Sequence, residues 1–412
     1  MSDTSYSHHA LGEITDTLQA RLNELSNDPS SKANQDTITS AQRAVLIDIA
    51  SLQVKAKRTF GEAANQQDAW WVTRRGLQQS THHCVASLKA SWMGDRPVAD
   101  LCCGLGSDLI ALAKRGPVTG VDFDPDVLAF TAANLQVARV SAELRTLDVT
   151  VATSADLIAG ATYLHVDPDR RADGQRHTDA NDLVPDWSRV TELAKLTRGG
   201  LIKLAPATQL SDDQTADLHR TWISASGSVR EQTAIYGELF DNPWMLEHGL
   251  RPGQRSAIAL RNRIPHVFAA PAEDTSVPNS SGAGIGEWII DPDASIRAAG
   301  LTTSFAREIG GRVVGSASGF LTCDSLEQMS DWGSMAMAAR VIEVVGCDDR
   351  KLRRCFRTRK AHPELIKVRG SDLDPTQLGR RMKSCGDTPL GLWIGRDGKR
   401  TFAAITEPIA SV

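Results

Sequence analysis

The stretch that decides the fold is Val98-Ala-Asp-Leu-Cys-Cys-Gly-Leu-Gly-Ser-Asp108. It begins as an apolar run, ends that run at Asp100 and breaks into a loop that contains Gly104 and Gly106. A helical pattern from Asp108 to Arg115 follows directly. Glycine permits positive φ angles and close approach of a ligand to the backbone, and the first N–H groups of a helix point toward that ligand. The stretch therefore predicts a strand, a glycine turn and a helix that bind a nucleotide-like ligand.

This loop differs from the dinucleotide-binding motif that it superficially matches. A Gly-x-Gly-x-x-Gly motif needs a third glycine where the helix packs on the strand, and that position is Leu109. The carboxylate of Asp100 suits a ligand that carries an ammonium group, which S-adenosylmethionine has and a pyrophosphate lacks. The next apolar run, Val118 to Asp122, ends in an acid that can accept hydrogen bonds from both ribose hydroxyls. The two acids favour S-adenosylmethionine over NAD.

Both segments resemble motifs of the class I S-adenosylmethionine-dependent methyltransferases. Asp100-Leu-Cys-Cys-Gly-Leu-Gly106 is similar to motif I, and Gly120-Val-Asp-Phe-Asp-Pro125 is similar to the acidic motif that follows it. A short third strand, Leu144 to Asp148, ends where the family's adenine-contacting acid lies; a plain strand-end aspartate is the alternative. The resemblance implies that the cofactor is bound by Asp100, Cys102, Gly104, Gly106, Asp122 and Asp148. Cys102 and Cys103 are expected to be small packing residues of this loop.

A fourth strand, which begins at Tyr163, ends in Asp167-Pro168 and is similar to the family's fourth motif. In relatives that methylate amino groups, that side chain and the adjacent carbonyl hold the acceptor nitrogen, which implies catalytic roles for Asp167 and Pro168. Methyl transfer is an in-line displacement on an activated methyl group, so positioning supplies most of the catalysis. The next residues, Asp169-Arg-Arg171, replace the proline and aromatic ring of those relatives. Arg170 and Arg171 are interpreted as substrate-binding residues or as a solvated loop paired with nearby acids.

The segment before the glycine turn has two interpretations. Gln78-Gln-Ser-Thr81 resembles the cover that folds over the cofactor in several nucleic-acid methyltransferases. The favoured interpretation is a helix start capped by Ser80 or Thr81, with Trp70 and Trp71 in a core. His82 and His83 are adjacent, and adjacent side chains diverge on a helix, so no metal site is predicted.

The length of 412 residues predicts two or three domains. Strands and helices alternate after Val98, which predicts an α/β domain, and the resemblance implies a Rossmann-like, mostly parallel, seven-stranded sheet whose last strand is antiparallel. Gly227 to Leu239 and Arg255 to Arg261 are expected to close this sheet as a hairpin pair. The predicted organisation is an N-terminal helical extension (1–95), the methyltransferase domain (96–265), a linker rich in Pro, Ser, Gly and Ala (266–286) and a smaller C-terminal α/β domain (287–412).

The C-terminal domain carries a concentration of basic residues between Arg350 and Lys383, a segment that contains twelve lysines and arginines but three acidic residues. With its strand-helix-strand end, this module resembles the THUMP-like RNA-binding domains of some bacterial methyltransferases, best at Ile366-Lys-Val-Arg-Gly370. The resemblance implies a tRNA or rRNA partner and contacts from Arg353, Arg354, Arg357 and Arg369. An ordinary solvated basic helix is the alternative.

Composition limits the remaining classes. The formal charge of −4 provides no overall attraction to nucleic acid, so such a contact needs a local basic surface. Neither a membrane span nor a secretory signal is recognisable, and seven cysteines without a Cys-x-x-Cys pair argue against a disulfide framework or a zinc ribbon. We therefore expect a cytoplasmic protein without a metal.

The sequence thus predicts an S-adenosylmethionine-dependent methyltransferase that acts on an RNA nucleoside, with a base amino group as one candidate acceptor. Two alternatives stay open. The acceptor could be a protein or a small molecule, or the chain could be a non-catalytic RNA-binding protein. The sequence does not indicate the oligomeric state.

Overall fold

The computed structural model describes residues 11–31, 37–170, 179–271, 284–315 and 319–409. The chain divides into two units: Met1–Arg220 with Arg230–Gly253, and Thr221–Val229 with Gln254–Val412. Within the described ranges, no helix combines the length and the apolar character needed to cross a bilayer.

Five helices precede the first strand: α1 (Asp16–Asn27), α2 (Ser40–Ser51), α3 (Gln53–Phe60), α4 (Arg74–Gln79) and α5 (His83–Met93). The apolar pattern from Ser40 to Phe60 therefore forms two helices that meet at Leu52. Lys57 and Arg58 lie in the last turn of α3, where the helix dipole favours cations.

The predicted N-terminal extension is part of the first unit. Trp70 and Trp71 are buried, as the favoured interpretation of this segment predicts. The side chain of Asn134 fixes Trp71, since its Oδ1 accepts from the Trp71 N–H at 2.8 Å and its amide donates to the Trp71 carbonyl at 2.9 Å. These hydrogen bonds attach the extension to the α/β part of the unit.

Strands and helices then alternate, as predicted. They are β1 (Val98–Leu101), α6 (Ser107–Ala113), β2 (Val118–Asp122), α7 (Pro125–Ala138), β3 (Glu143–Thr146), α8 (Ser154–Ile158), β4 (Tyr163–Val166), β5 (Asp169–Arg170), β6 (Leu183–Val184), α9 (Trp187–Ala194), β7 (Gly199–Leu204), α10 (Asp212–Thr215), β8 (His219–Ala225), β9 (Ser228–Gly237) and α11 (Pro243–Glu247).

The sheet of the first unit is mostly parallel. Strands β3, β2, β1, β4 and β7 lie side by side in that order, and β9 pairs antiparallel with β7, in agreement with the mostly parallel order implied by the resemblance. The sheet that contains them has nine strands among the described residues, so the implied number of seven is wrong. All four residues of β1 are buried, as expected for a central strand covered on both faces. The loops after β1 and β4 leave the sheet where the strand order reverses, which is where ligands bind in such sheets.

The predicted pairing of Gly227–Leu239 with Arg255–Arg261 is wrong. Strand β9 follows β8 across Ser226 and Gly227, whereas Gln254–Arg261 (β10) pairs antiparallel with Ile264–Pro271 (β11). All four residues of the two turns, 226–227 and 262–263, have positive φ angles, which match the right-handed twist of a two-residue hairpin. Local turn geometry therefore decides which strands pair.

The second unit continues with β12 (Trp288–Pro292), α12 (Ala294–Ala298), α13 (Thr302–Glu308), β13 (Arg312–Val314), β14 (Phe320–Cys323), β15 (Ala336–Gly346), α14 (Asp349–Thr358), β16 (Ala361–Val368), α15 (Pro375–Met382), β17 (Thr388–Asp397) and β18 (Arg400–Thr406). Seven of its strands form a sheet in the order β13-β14-β12-β15-β18-β17-β16. Strands β17 and β18 form a hairpin in which Asp397 pairs with Arg400 across a turn at Gly398 and Lys399.

The units divide the chain near, but not at, the predicted domain boundary. The second unit includes β10 and β11, so the predicted linker 266–286 begins inside β11. Residues 272–283 of that linker lie outside the described residues. The α/β character of both parts is confirmed, while the THUMP-like character of the second stays a prediction.

Candidate active site

The glycine turn adopts a left-handed backbone at three positions, with φ angles of 60° at Cys102, 52° at Gly104 and 84° at Gly106. At Gly106 a Cβ atom would lie 2.9 Å from Cγ2 of Thr131, so packing as well as conformation requires glycine. At Gly104, no described atom apart from the two neighbouring residues lies within 4 Å of the position that a Cβ atom would occupy. The Gly104 backbone therefore has open space beside it, as a ligand-binding turn requires.

Asp122 connects the turn to the end of β2. Its Oδ2 accepts from the Gly104 N–H at 2.9 Å, and its Oδ1 accepts from the Asp124 N–H at 3.1 Å. Burial raises the pKa of this carboxyl. Each oxygen keeps a lone pair for a further donor, so the contact with two ribose hydroxyls that the sequence predicts is compatible with this geometry.

Phe123, the next residue, was missed by the sequence analysis. Its side chain is 71% exposed, although it stands between two acids at the end of a buried strand. A large ring left open to solvent at a ligand-binding edge offers a flat apolar face for a planar group. An aromatic residue directly after a strand-ending acid was the sequence signal for it.

Asp148 lies two residues beyond the end of β3 and is exposed. Its Oδ1 accepts from the Thr150 N–H at 2.8 Å and from the Thr150 hydroxyl at 2.6 Å, and these bonds lower its pKa. The Leu147 N–H donates to the Asp122 carbonyl at 3.0 Å, which places this turn beside the end of β2. Adenine contact by Asp148 stays a prediction.

Asp100, the third residue of β1, is completely buried. Its Oδ1 is 2.6 Å from Nδ1 of His165 on β4, while Oδ2 has no hydrogen-bond partner among the described residues. Burial raises the pKa of this carboxyl, although the charge of His165 acts in the opposite direction. A buried oxygen without a partner is uncommon in folded proteins, and its contact with the cofactor's ammonium group stays a prediction.

A buried charge network extends from His165. Nζ of Lys89, whose side chain is 1% exposed, lies 3.2 Å from Nε2 of His165, 2.9 Å from Oδ1 of Asp108 and 2.9 Å from Oε1 of Glu231. Burial acts to raise the pKa of Asp108, but the charge of Lys89 contributes most to lowering it well below its usual range. These residues hold α5, α6, β4 and β9 together, and Lys89, His165 and Glu231 were missed by the sequence analysis.

The end of β4 carries the predicted acceptor residues. Asp167 directly follows the strand, and the ammonium group of Lys203 on β7 donates to its Oδ2. Burial raises the pKa of Asp167, and the charge of Lys203 acts against that rise. Pro168 is buried and fixes the chain after Asp167. Lys203, a single cation in an apolar strand, was a further residue that the sequence analysis missed.

Residues of α4 and the segment after it lie over this end of the sheet. Nζ of Lys203 also donates to the Gln79 carbonyl at 2.9 Å, and Asp169 accepts from Arg75 at 3.0 Å and from the Gln79 amide at 2.8 Å. The Thr81 N–H donates to Oγ of Ser107, at the start of α6, at 3.0 Å. These contacts attach Gln79–Thr81 to β7, to Asp169 and to the start of α6, and a covering role for the segment stays a prediction.

Two details of the same segment correct the sequence analysis. The N-cap of α5 is His82, not Ser80 or Thr81, because its Nδ1 accepts from the Cys84 N–H. His82 thus precedes the helix, and its ring stacks on His83 with centroids 4.7 Å apart, so the argument that these side chains diverge is wrong. One nitrogen of His82, one nitrogen of His83 and the sulfur of Cys84, atoms of the kind that can bind a metal, lie within 4.8 Å of one another.

The predicted substrate-binding arginines fall in three places. Arg170 is the last residue of β5, and Arg171 lies outside the described residues. Arg354 and Arg357 are exposed on α14, where Arg353 is partly buried, with Nε 3.2 Å from Asp349. Arg369 lies directly after β16 rather than on α14, and it pairs with Asp291 at 2.8 Å.

Comparison with known proteins adds a whole-length similarity. No family model matches the chain. Uncharacterized S-adenosylmethionine-dependent methyltransferases of Mycobacterium tuberculosis strains CDC 1551 / Oshkosh and ATCC 25618 / H37Rv are each 26% identical over 367 residues, which cover 88% of this chain and 95% of each relative. The crystal structure of a proposed methyltransferase from Porphyromonas gingivalis W83, 18% identical, has a TM-score of 0.68 over 96% of this chain and 99% of that chain and shows the same fold. The site geometry and the similarity agree, and the chain is an S-adenosylmethionine-dependent methyltransferase.

Proposed function

We propose that this methyltransferase transfers the methyl group to an RNA nucleoside. The observation that carries the proposal is a basic surface on α14 and α15 of the second unit. Each helix buries one apolar face and exposes its cations, while Nη1 of Arg381 on α15 is 4.0 Å from Asp349 on α14. The exposed cations of the basic surface are Arg350, Lys351, Arg354, Arg357, Arg380 and Arg381.

The charge of this surface is local. The whole chain has a formal charge of −4, so the six cations oppose the overall balance. Among the described residues, the nearby Asp349 contacts two arginines, Arg353 and Arg381. Phosphate groups of a nucleic acid are the partners that such a cationic surface attracts most strongly, through the release of counterions.

The end of β4 supplies the acceptor site in this proposal. When bound, S-adenosylmethionine supplies a methyl group already activated by its sulfonium. The Asp167 carboxylate accepts a hydrogen bond from the acceptor's N–H and aligns the nitrogen lone pair, which provides catalysis by positioning. Lys203 favours the ionised form of Asp167, and its bond to the Gln79 carbonyl connects the acceptor residue to the covering segment. A base amino group, of tRNA or rRNA, fits these roles.

The test is to incubate the full chain with radiolabelled S-adenosylmethionine and total cellular RNA, and to identify the methylated nucleoside by mass spectrometry. Parallel reactions contain RNA-free cell protein or the small-molecule fraction. Label in a single RNA nucleoside supports the proposal. Label in protein or small molecules alone rejects it and selects the alternative acceptor class.

Replacing Arg350, Arg354 and Arg357 with Gln should weaken RNA binding about a hundredfold at low salt. The slope of the logarithm of the binding constant against the logarithm of the salt concentration should fall by the equivalent of two to three phosphate contacts. The three exposed cations lie on successive turns of α14. Fluorescence anisotropy at several salt concentrations measures both effects. The matched control neutralises Lys55, Lys57 and Arg58, exposed on α3; equal weakening by the control would contradict a specific basic surface.

Replacing Phe123 with Ala should lower affinity for S-adenosylmethionine about tenfold, because aromatic stacking on a base contributes about 1–3 kcal/mol. The ring is already exposed, so little stability is lost. Isothermal titration calorimetry measures the affinity. Leu196, which is 55% exposed in the same unit, is the matched control as Leu196→Ala. Unchanged affinity in Phe123→Ala would exclude the ring from the cofactor site.

A further inference from the structure

A second cationic cluster lies in the second unit, separate from the basic surface of α14 and α15. At its centre is Asp291 on β12, whose side chain is 4% exposed. Arg297 of α12 approaches Oδ1 at 2.9 Å, Lys367 of β16 approaches Oδ2 at 3.2 Å, and Arg369, just after β16, approaches Oδ1 at 2.8 Å. One buried carboxylate thus holds three cations together.

The charges in this cluster do not balance. Asp293, the second acid whose charge acts on Arg297, is already engaged by Arg261 at 2.7 Å and by the hydroxyls of Ser224 and Ser295. Counting Asp291 and Asp293 against Arg261, Arg297, Lys367 and Arg369 leaves an excess of two positive charges. Burial lowers the pKa of Arg297, and the neighbouring charge of Arg369 adds to this effect.

The cations are also held in place and partly exposed. The side chains of Arg297, Lys367 and Arg369 are 22%, 26% and 26% exposed, so an anion can reach them. The Arg369 guanidinium lies over the Phe320 ring at 5.5 Å, and its Nε is buried without a hydrogen-bond partner among the described residues. Side chains fixed in this way lose little entropy when they bind a ligand.

We infer that Arg297, Lys367 and Arg369 form a binding site for a phosphate monoester. A monoester carries up to two negative charges near neutral pH, which matches the excess of two positive charges, and planar guanidinium groups suit its oxygens. Asp291 orients the three cations but leaves their charge unbalanced. The monoester can be the terminal phosphate of an RNA or a free phosphorylated compound; the RNA source rests on the proposed function.

Titration of the full chain with inorganic phosphate tests the site itself, by calorimetry at low salt. Lys367→Gln should weaken binding about tenfold or more, because a hydrogen bond to a charged group is lost, and Asp291 keeps both arginines in that variant. Lys399→Gln, at an exposed position in the β17–β18 turn, removes the same charge and should change the affinity less than twofold. A chain that shows no saturable phosphate binding, or equal weakening by both variants, would overturn the site.

Two oligoribonucleotides of one sequence, with a 5′-phosphate or a 5′-hydroxyl, distinguish the sources. A preference of about tenfold for the phosphorylated form that disappears in Lys367→Gln identifies an RNA end as the ligand. Equal binding of both oligoribonucleotides, together with saturable inorganic phosphate binding, supports the site with a free phosphorylated compound as its ligand. Since phosphate binding is measured without methyl transfer, the site can hold even if the RNA proposal fails.

Discussion

Replacing Asp167 with Ala should abolish measurable methyl transfer, a loss of at least about a hundredfold, while affinity for S-adenosylmethionine falls by less than about threefold. The carboxylate lies at the end of β4, at the acceptor side of the site, and its described contact is with Lys203. Its removal therefore takes away the group that positions the acceptor nitrogen but leaves Asp122 and the glycine turn in place. Single-turnover transfer to the RNA acceptor and calorimetry with the cofactor measure the two effects separately.

Two further variants make this result specific. Asp167→Asn keeps an oxygen acceptor and should retain measurable turnover, whereas Asp156→Ala, at an exposed position on α8, should behave as the unmodified chain. Full turnover in Asp167→Ala would remove the residue from the catalytic site.

The pH dependence should identify Lys203 as a positioning residue. Burial raises the pKa of Asp167, and the charge of Lys203 opposes that rise. Lys203→Met should therefore raise the pKa of Asp167 further. Because the ionised carboxylate is the stronger hydrogen-bond acceptor for the N–H of the methyl acceptor, the acidic decline of kcat/KM should move to higher pH in Lys203→Met. If kcat/KM fell equally at every pH and its acidic decline stayed at the same pH, Lys203 would have a structural role only.

Replacing Lys89 with Met should destabilise the first unit by about 3–5 kcal/mol, because Asp108 and Glu231 then remain buried without their cation. That loss corresponds to a melting temperature lower by roughly 10 °C. Differential scanning calorimetry measures it. Lys114→Met, at an exposed position after α6, is the matched control and should change stability by less than about 0.5 kcal/mol.

The destabilisation should also depend on pH in a defined direction. In the unmodified chain the pKa of Asp108 is lowered, so its stabilising contribution is present above its unfolded pKa of about 3.9 and is lost only in stronger acid. Without Lys89, burial raises that pKa instead, and protonation stabilises the variant as pH falls. The difference in melting temperature should therefore narrow between pH 7 and pH 4. A constant difference would assign the effect of Lys89 to packing alone.

The turn at Gly104 and Gly106 and the strand that ends at Asp122 were predictable because they rest on local properties. Apolar runs form strands, and glycine occupies left-handed positions at little cost. Cys102 adopts the same left-handed region at a cost of about 1 kcal/mol, which sequence rules for glycine do not anticipate. Local rules also missed the hairpin of β10 and β11, since Asn262 and Arg263 form its turn without a glycine.

By itself, the sequence determined the order of strands and helices, the glycine turn and the acids at the ends of β2 and β4, since each depends on residues close together in the chain. Only the tertiary structure decided which charges are buried together. Lys89 meets His165 from 76 positions away, and Arg369 meets Asp291 from 78 positions away. A charge can be buried only where partners neutralise or bind it, and the fold brings those partners from distant parts of the chain.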